Sequence, residues 1–316
     1  MDVSVVVLTY DSAATIEACL WSLANQSVPP AEILVVDDDS TDSTLDLVAG
    51  LAGVFPVPLL VVRNGSHNIS RGRNLGMAMA EFPVVAFLDS DARAAPGWIA
   101  GLVAAFEGDP AAAVVGGGVD TAHTTAFARA VAVNDGLVRD VAAAGALLVS
   151  GCNMAVHKRR TGGLRFDERW VHAEDIEYVD RVGCFAVAPD ARVEHESRAT
   201  PRGYFRQMYR YGLWKVRYSI HTGNFRPVDY SPTVAMAVAV LLAAVVTPWA
   251  VLAYPALSVA ETIVVAAWRR PPSRLLPLML VGWLVKNTGW GLGVLVALVQ
   301  QATRRSGIPP AFEPVR

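Results

Sequence analysis

Two carboxylates one residue apart, Asp89 and Asp91, follow the apolar run Val84-Val85-Ala86-Phe87-Leu88. A buried strand ending there would present both acids at its carboxyl edge. Two hard oxygen ligands in that place suit a divalent cation carrying a diphosphate. An isolated Asp-x-Asp is also an ordinary surface turn, so the pair needs support from the rest of the chain. Polar clusters close two earlier apolar runs, as Thr9-Tyr10-Asp11 and as Asp37-Asp38. Further on come Glu174-Asp175, at the expected start of a helix, and His195, after a short apolar stretch. Each has a bland reading as well. Acids in a first helical turn are favoured by the helix dipole alone, and a lone histidine after a strand is often structural.

The elements that must position these groups are legible as alternating patterns. Buried-strand runs are predicted at Val3–Leu8, Ile33–Val36, Pro58–Val62, Val84–Leu88 and Val114–Val119. Helical periodicity is predicted from a cap at Ser12 to near Gln26, over 43–50 and over 71–80. Two short strands are expected at Phe185–Val187 and Arg192–Glu194. The stretch from 120 to 145 carries little pattern. Strands alternating with helices of this length imply βαβ units and a mostly parallel central sheet flanked by helices, an α/β fold. Ligands on such sheets bind at the carboxyl edge, where the acids lie. There is no GxGxxG after a strand and no GxxxxGK followed by Ser or Thr. A nucleotide here needs another device, such as an acid accepting from a pyrimidine ring N–H.

Composition divides the chain. It has 316 residues and is 53% hydrophobic, with a mean hydropathy of +0.35. Residues 1–200 carry 26 Asp and Glu against 14 Lys and Arg, whereas 201–316 carry 3 against 13. An acidic soluble half followed by a basic, apolar half is expected. The three cysteines, Cys19, Cys152 and Cys184, lack metal-ligand spacing and are expected to be small apolar fillers. The N-terminus reads as a first strand and not as a signal peptide.

Six motifs in order give the chain a specific resemblance over roughly 3–215. They are Val7-Leu8-Thr9-Tyr10-Asp11, Val36-Asp37-Asp38-Asp39-Ser40-Thr41-Asp42, Arg71-Gly72-Arg73-Asn74-Leu75-Gly76 and Phe87-Leu88-Asp89-Ser90-Asp91. The last two are Ala173-Glu174-Asp175-Ile176-Glu177 and Pro189-Asp190-Ala191-Arg192-Val193-Glu194-His195. The series resembles family 2 glycosyltransferases with the GT-A nucleotide-sugar-binding fold. Three departures stand out. Asp11 replaces the usual Asn, Asp39 replaces the usual Gly, and the segment between Asp180 and Ala186 is short for the family.

The resemblance implies a nucleotide-sugar donor, a UDP-sugar most often, and an inverting transfer. Asp38 would accept from the base, with Thr9, Tyr10, Asp11 and Asp37 nearby. Arg71 and Arg73, beside Asn74, would contact base or diphosphate. Asp91 would ligate Mg²⁺ or Mn²⁺, with Asp89 on ribose or metal, Ser90 between them and His195 completing the metal shell. Asp175 would be the general base, assisted by Glu174. Gln207, Arg210 and Tyr211 resemble the family's Gln-x-x-Arg-Trp element on the acceptor and diphosphate side, with Tyr211 in place of Trp.

The second half reads as membrane-associated. Arg202, Arg206 and Arg210 lie at i, i+4, i+8 opposite an apolar face, as in an interfacial or an ordinary surface helix. Thr233–Ala267 has one charge, Glu261, and predicts two helices turning near Pro248 or Pro255. Leu275–Val299 is a third apolar run, interrupted by Lys286 and Asn287. It either crosses or re-enters around 286–293, and Lys286 would meet a lipid phosphate or snorkel. The expected division is a catalytic domain over 1–200, an interfacial segment over 201–231, about three transmembrane helices over 232–300 and a tail over 301–316. Basic segments at 202–226 and 269–274 place the catalytic domain in the cytoplasm of a multi-pass plasma-membrane protein. Family members of this layout extend polyprenyl- or dolichol-linked saccharides in exopolysaccharide or N-glycan assembly. Alternatives are a polyprenyl-phosphate monosaccharide synthase and a non-catalytic nucleotide-sugar-binding membrane protein. A nucleic-acid partner is not expected, and the apolar runs are too few for a transporter.

Overall fold

The structure, a computed structural model, describes residues 1–122, 125–142, 149–196 and 200–303. Its chain divides into two compact units. One takes the described residues of Met1–Ala122 and Leu147–His195, the other those of His123–Ala146 and Glu196–Ile308.

The first unit is built on an eight-stranded sheet. In chain order its strands are β1 (Val3–Thr9), β2 (Glu32–Asp37), β3 (Leu59–Arg63), β4 (Val84–Asp89), β5 (Ala92–Ala94), β6 (Val114–Ala122), β7 (Asn153–His157) and β8 (Phe185–Glu196). The spatial order is β3-β2-β1-β4-β7-β6-β8-β5. Pairing is parallel from β3 to β4 and antiparallel between β4 and β7, β7 and β6, and β8 and β5. The valine-rich runs of β1, β2 and β4 are buried on both faces, as parallel strands covered by helices must be. Each fully buried Val or Leu there contributes about 1.5–3 kcal/mol of transfer free energy.

Helices α1 (Ile16–Ala24), α2 (Thr44–Leu51), α3 (Ile69–Met79), α4 (Trp98–Gly108) and α6 (Glu174–Val182) belong to this unit. Two glycines of the Arg71–Gly76 motif explain how α3 docks. A Cβ at Gly72 would meet Leu8, and one at Gly76 would meet Val6. Without those carbons the helix lies directly on β1. Asn153 ties the antiparallel side together. Its amide donates to the carbonyls of Gly118 (2.8 Å) and Ala191 (2.9 Å) and accepts from the Trp98 indole at 2.7 Å.

Several elements depart from expectation. Helix α1 begins after Thr15, three residues beyond the expected cap at Ser12, whose carbonyl accepts from the amides of Thr15 and Ile16 in the preceding turn. Phe185–Glu196 is one continuous strand where two were expected. Elements β5, α4 and β7 had no predicted counterpart. The weakly patterned stretch after 120 contains α5 (Ala126–Ala142), which belongs to the second unit.

The second unit adds α7 (Pro201–Thr222), α8 (Pro227–Val245), α9 (Ala253–Arg269) and α10 (Leu276–Thr303). Short 3₁₀ turns at Pro248–Leu252 and Ser273–Leu275 precede α9 and α10. Three helical segments, Pro227–Val245, Pro248–Arg269 and Ser273–Thr303, are long and apolar enough to cross a membrane. Helix α10 runs unbroken through Lys286 and Asn287 for about 42 Å, at 1.5 Å per residue. The helix has no break at 286–293. Helices α7 and α10 pack backbone to backbone: a Cβ at Gly293 would strike the Tyr209 carbonyl, and one at Gly212 the Trp290 carbonyl.

Candidate active site

The acids of the opening motif lie at the carboxyl edge of β4 within the first unit, and β-pairing brings His195 to them. Ala92 of β5 pairs with His195 of β8, which sets the imidazole beside the preceding Asp91. The His195 Nε2 lies 3.1 Å from Asp91 Oδ1 and 3.7 Å from Asp89 Oδ2. Burial disfavours the imidazolium, but hydrogen bonds and charge from Asp89 and Asp91 outweigh it and lift the His195 pKa to about 10. The proton that this negative charge holds on the ring nitrogen is what a cation would replace. The Sγ of Cys152 joins Asp89 and His195, with ligand atoms of all three within 4.8 Å of one another. Burial, then the Asp89 charge, holds the Cys152 thiol up at about 12, so it is protonated. Oxygen and imidazole donors fit Mg²⁺ or Mn²⁺. The thiol is a softer neighbour that spacing along the chain did not reveal, since its partners come from other strands.

Asp175 stands at the start of α6. Its Oδ2 accepts from the Gly151 amide at 2.7 Å and its Oδ1 from the Ile176 amide at 2.8 Å. The turn Ser150–Asn153 thus carries Cys152 toward Asp89 and holds Asp175 through the preceding residue. Glu174 is buried, and its carboxyl is pushed up by desolvation against the opposing charge of Arg73. The Arg73 Nη2 lies 3.3 Å from Glu174 Oε1, and its guanidinium packs over the rings of Phe87 and Phe166. Arg73 is only 1% exposed. In this geometry Arg73 supports Glu174 from the interior. Arg71, one position before Gly72 on the same helix, is exposed. Asn74 is also committed elsewhere. It exchanges hydrogen bonds with the Phe166 backbone and donates to Glu168, pinning that segment to α3.

The β1 and β2 edges form a second cluster. Asp37 is fully buried and accepts from Ser40 and Arg63, which makes it a loop anchor. Asp38 Oδ1 accepts from the Asn64 side chain and from the amides of Ser66 and His67. Tyr10, half exposed, meets His67 edge to face at 5.3 Å. Asn64, Ser66 and His67 were not singled out from the sequence, because they lie in a loop without motif spacing. Thr9 is buried, and its hydroxyl has no partner among the described residues. Ser90 shares a hydrogen bond with Ser12 at 2.8 Å. Asp11 Oδ1 accepts from Thr41 and Asp42, joining the two loops.

The departures at 11 and 39 have a common backbone basis. Asp11 (φ 45°) and Asp39 (φ 61°) are both left-handed, a conformation that Gly and Asn adopt most readily and Asp tolerates. Gln207, Arg210 and Tyr211 lie on α7 in the second unit, where the Gln207 amide donates to the Tyr211 hydroxyl at 3.1 Å and Arg210 is exposed.

Residues 4–133, about two fifths of the chain, match the family model for Glycosyl transferase family 2, and the first unit has the GT-A fold. Among curated relatives, validoxylamine A glucosyltransferase of Streptomyces hygroscopicus subsp. limoneus is 33% identical over 114 residues, 35% of this chain and 25% of that protein. Glucosyl-dolichyl phosphate glucuronosyltransferase of Haloferax volcanii is 34% identical over 121 residues, 38% of each chain. The chain thus spans a quarter to two fifths of the length of these relatives. Mannosyltransferase PcManGT from Pyrobaculum calidifontis, solved with GDP-Man and Mn²⁺, superposes with a TM-score of 0.60 at 20% identity, covering 95% of this chain and 87% of that one.

Proposed function

We propose that the protein is a membrane-anchored inverting glycosyltransferase. It takes a sugar from a nucleoside diphosphate sugar, with uridine the expected base, and passes it to a polyprenyl- or dolichol-linked saccharide at the cytoplasmic face of the plasma membrane. The carrying observation is the convergence of Asp89, Asp91 and His195 beside an Asp175 oriented by two backbone amides. Asp38 and Tyr10 border the base side, with Arg71 available to the diphosphate. Asp89, Asp91 and His195 would hold Mg²⁺ or Mn²⁺, whose part is Lewis-acid stabilisation of the departing diphosphate. Asp175 takes the proton of the acceptor hydroxyl. The hydroxyl oxygen bonds to the anomeric carbon as the bond to diphosphate breaks on the opposite side, which inverts the centre. The name of the Haloferax volcanii relative, acting on a glucosyl-dolichyl phosphate, supports a sugar-bearing lipid over a bare lipid phosphate as acceptor.

The test uses membranes bearing the full chain, a panel of radiolabelled nucleotide sugars and extracted lipid acceptors, with and without EDTA. Label is expected to enter the lipid fraction from one donor class and to cease with EDTA. Transfer to bare polyprenyl phosphate alone would favour the monosaccharide-synthase alternative. Turnover undiminished by EDTA would remove the metal from the mechanism, and donor binding without transfer would support the non-catalytic reading.

A further inference from the structure

Within the second unit, a cleft of about 450 Å³ opens between α5, the end of α9 and the turn leading into α10. It gathers Arg129, Arg269 and Arg270, while Val133, Pro272 and Leu275 give it apolar walls. Among the described residues its lining contains no acid, and its side chains are either guanidinium or apolar. Arg129 and Arg270 make no ion pair among the described residues. The Arg269 guanidinium lies 6.0 Å from the centroid of the Trp268 ring. Cations at a helix C-terminus complement its dipole, and this alone would account for Arg269 and Arg270. It does not account for Arg129, which comes from α5. The cleft terminates the 22-residue apolar segment Pro248–Arg269, and Ile263, Val264 and Trp268 are exposed on the last turns before it. An aromatic residue followed by arginines is the usual sequence of groups on passing from hydrocarbon to headgroups.

We propose that this cleft holds the headgroup phosphate of an anionic glycerophospholipid of the bilayer, its acyl chains lying along the exposed apolar side of α9. The inference rests on reading α8 to α10 as membrane-spanning. Three guanidinium groups supply directed donors for phosphate oxygens. Among the described residues the lining side chains are apolar or cationic, so they offer phosphate and chain recognition and no acceptor for sugar hydroxyls. That favours a bulk phospholipid over the saccharide-bearing acceptor.

The test is lipid retention by the 316-residue chain, purified from nanodiscs of phosphatidylcholine with or without phosphatidylglycerol and read by native mass spectrometry. The wild type is expected to retain phosphatidylglycerol preferentially. The Arg129→Gln/Arg270→Gln double variant is expected to lower that retention about tenfold or more, and Arg274→Gln, outside the cleft lining, to leave it unchanged. Wild-type protein that retains both lipids equally would overturn the proposal without recourse to a variant that must fold. Displacement by equimolar polyprenyl phosphate would reassign the cleft to the acceptor, and displacement by inorganic phosphate at like concentration would remove the lipid from it. Retention is read without sugar transfer, so its failure is separable from failure of the catalytic reading. Alkaline carbonate extraction of membranes reports the membrane reading independently.

Discussion

Asp175 receives two backbone N–H groups, so its carboxylate is oriented before any acceptor arrives. Asp175→Asn keeps the shape and removes the basicity. Turnover on lipid acceptor is expected to fall by about 10²–10⁴-fold, while nucleotide-sugar affinity by calorimetric titration changes less than about twofold. Unchanged turnover would eliminate Asp175 as the base. His195 permits a test by pH. Its raised pKa means the folded, metal-free protein holds that proton more tightly than the unfolded chain, whose value is near 6.5. The resulting stability is fully present below about pH 6.5 and is lost as pH rises through about 10. The melting temperature of EDTA-treated protein is therefore expected to decline between these limits, and His195→Gln to flatten the decline. An equal decline in both proteins would show that other groups cause it.

Helix α10 owes its position to glycines that touch another backbone. Gly293 abuts the Tyr209 carbonyl, whereas a Cβ at Gly291 would meet only ordinary or slightly close contacts at Pro232 and Thr233, 3.4 Å or more away. Gly293→Ala is expected to destabilise the detergent-solubilised protein by about 1–3 kcal/mol, and Gly291→Ala to be tolerated. Equal melting temperatures for the two variants would refute the close-packing account. The strands β1, β2 and β4 were legible because each is an apolar run closed by polar residues. Helix α5 was not, because its alanines blur the contrast between faces. Strand β7, Asn-Met-Ala-Val-His, is short and holds a polar hub, so its burial depends on partners from β4 and β6.

Across the whole molecule, charge and apolarity separate along the chain as the sequence indicated. The full chain is expected to stay in the membrane pellet through alkaline carbonate extraction, and release into the supernatant would reject an integral membrane reading. The order of motifs and the three long apolar segments follow from the sequence itself, because each depends on neighbours a few residues apart. So does the placement of acids at strand ends. Tertiary structure decided which of those residues share a site. Pairing of β5 with β8 brought His195 to Asp91, and the turn before β7 brought Cys152 to Asp89. Packing of the Arg73 guanidinium over Phe87 and Phe166 set it beside Glu174. These outcomes depend on contacts between residues dozens of positions apart, which local pattern does not encode.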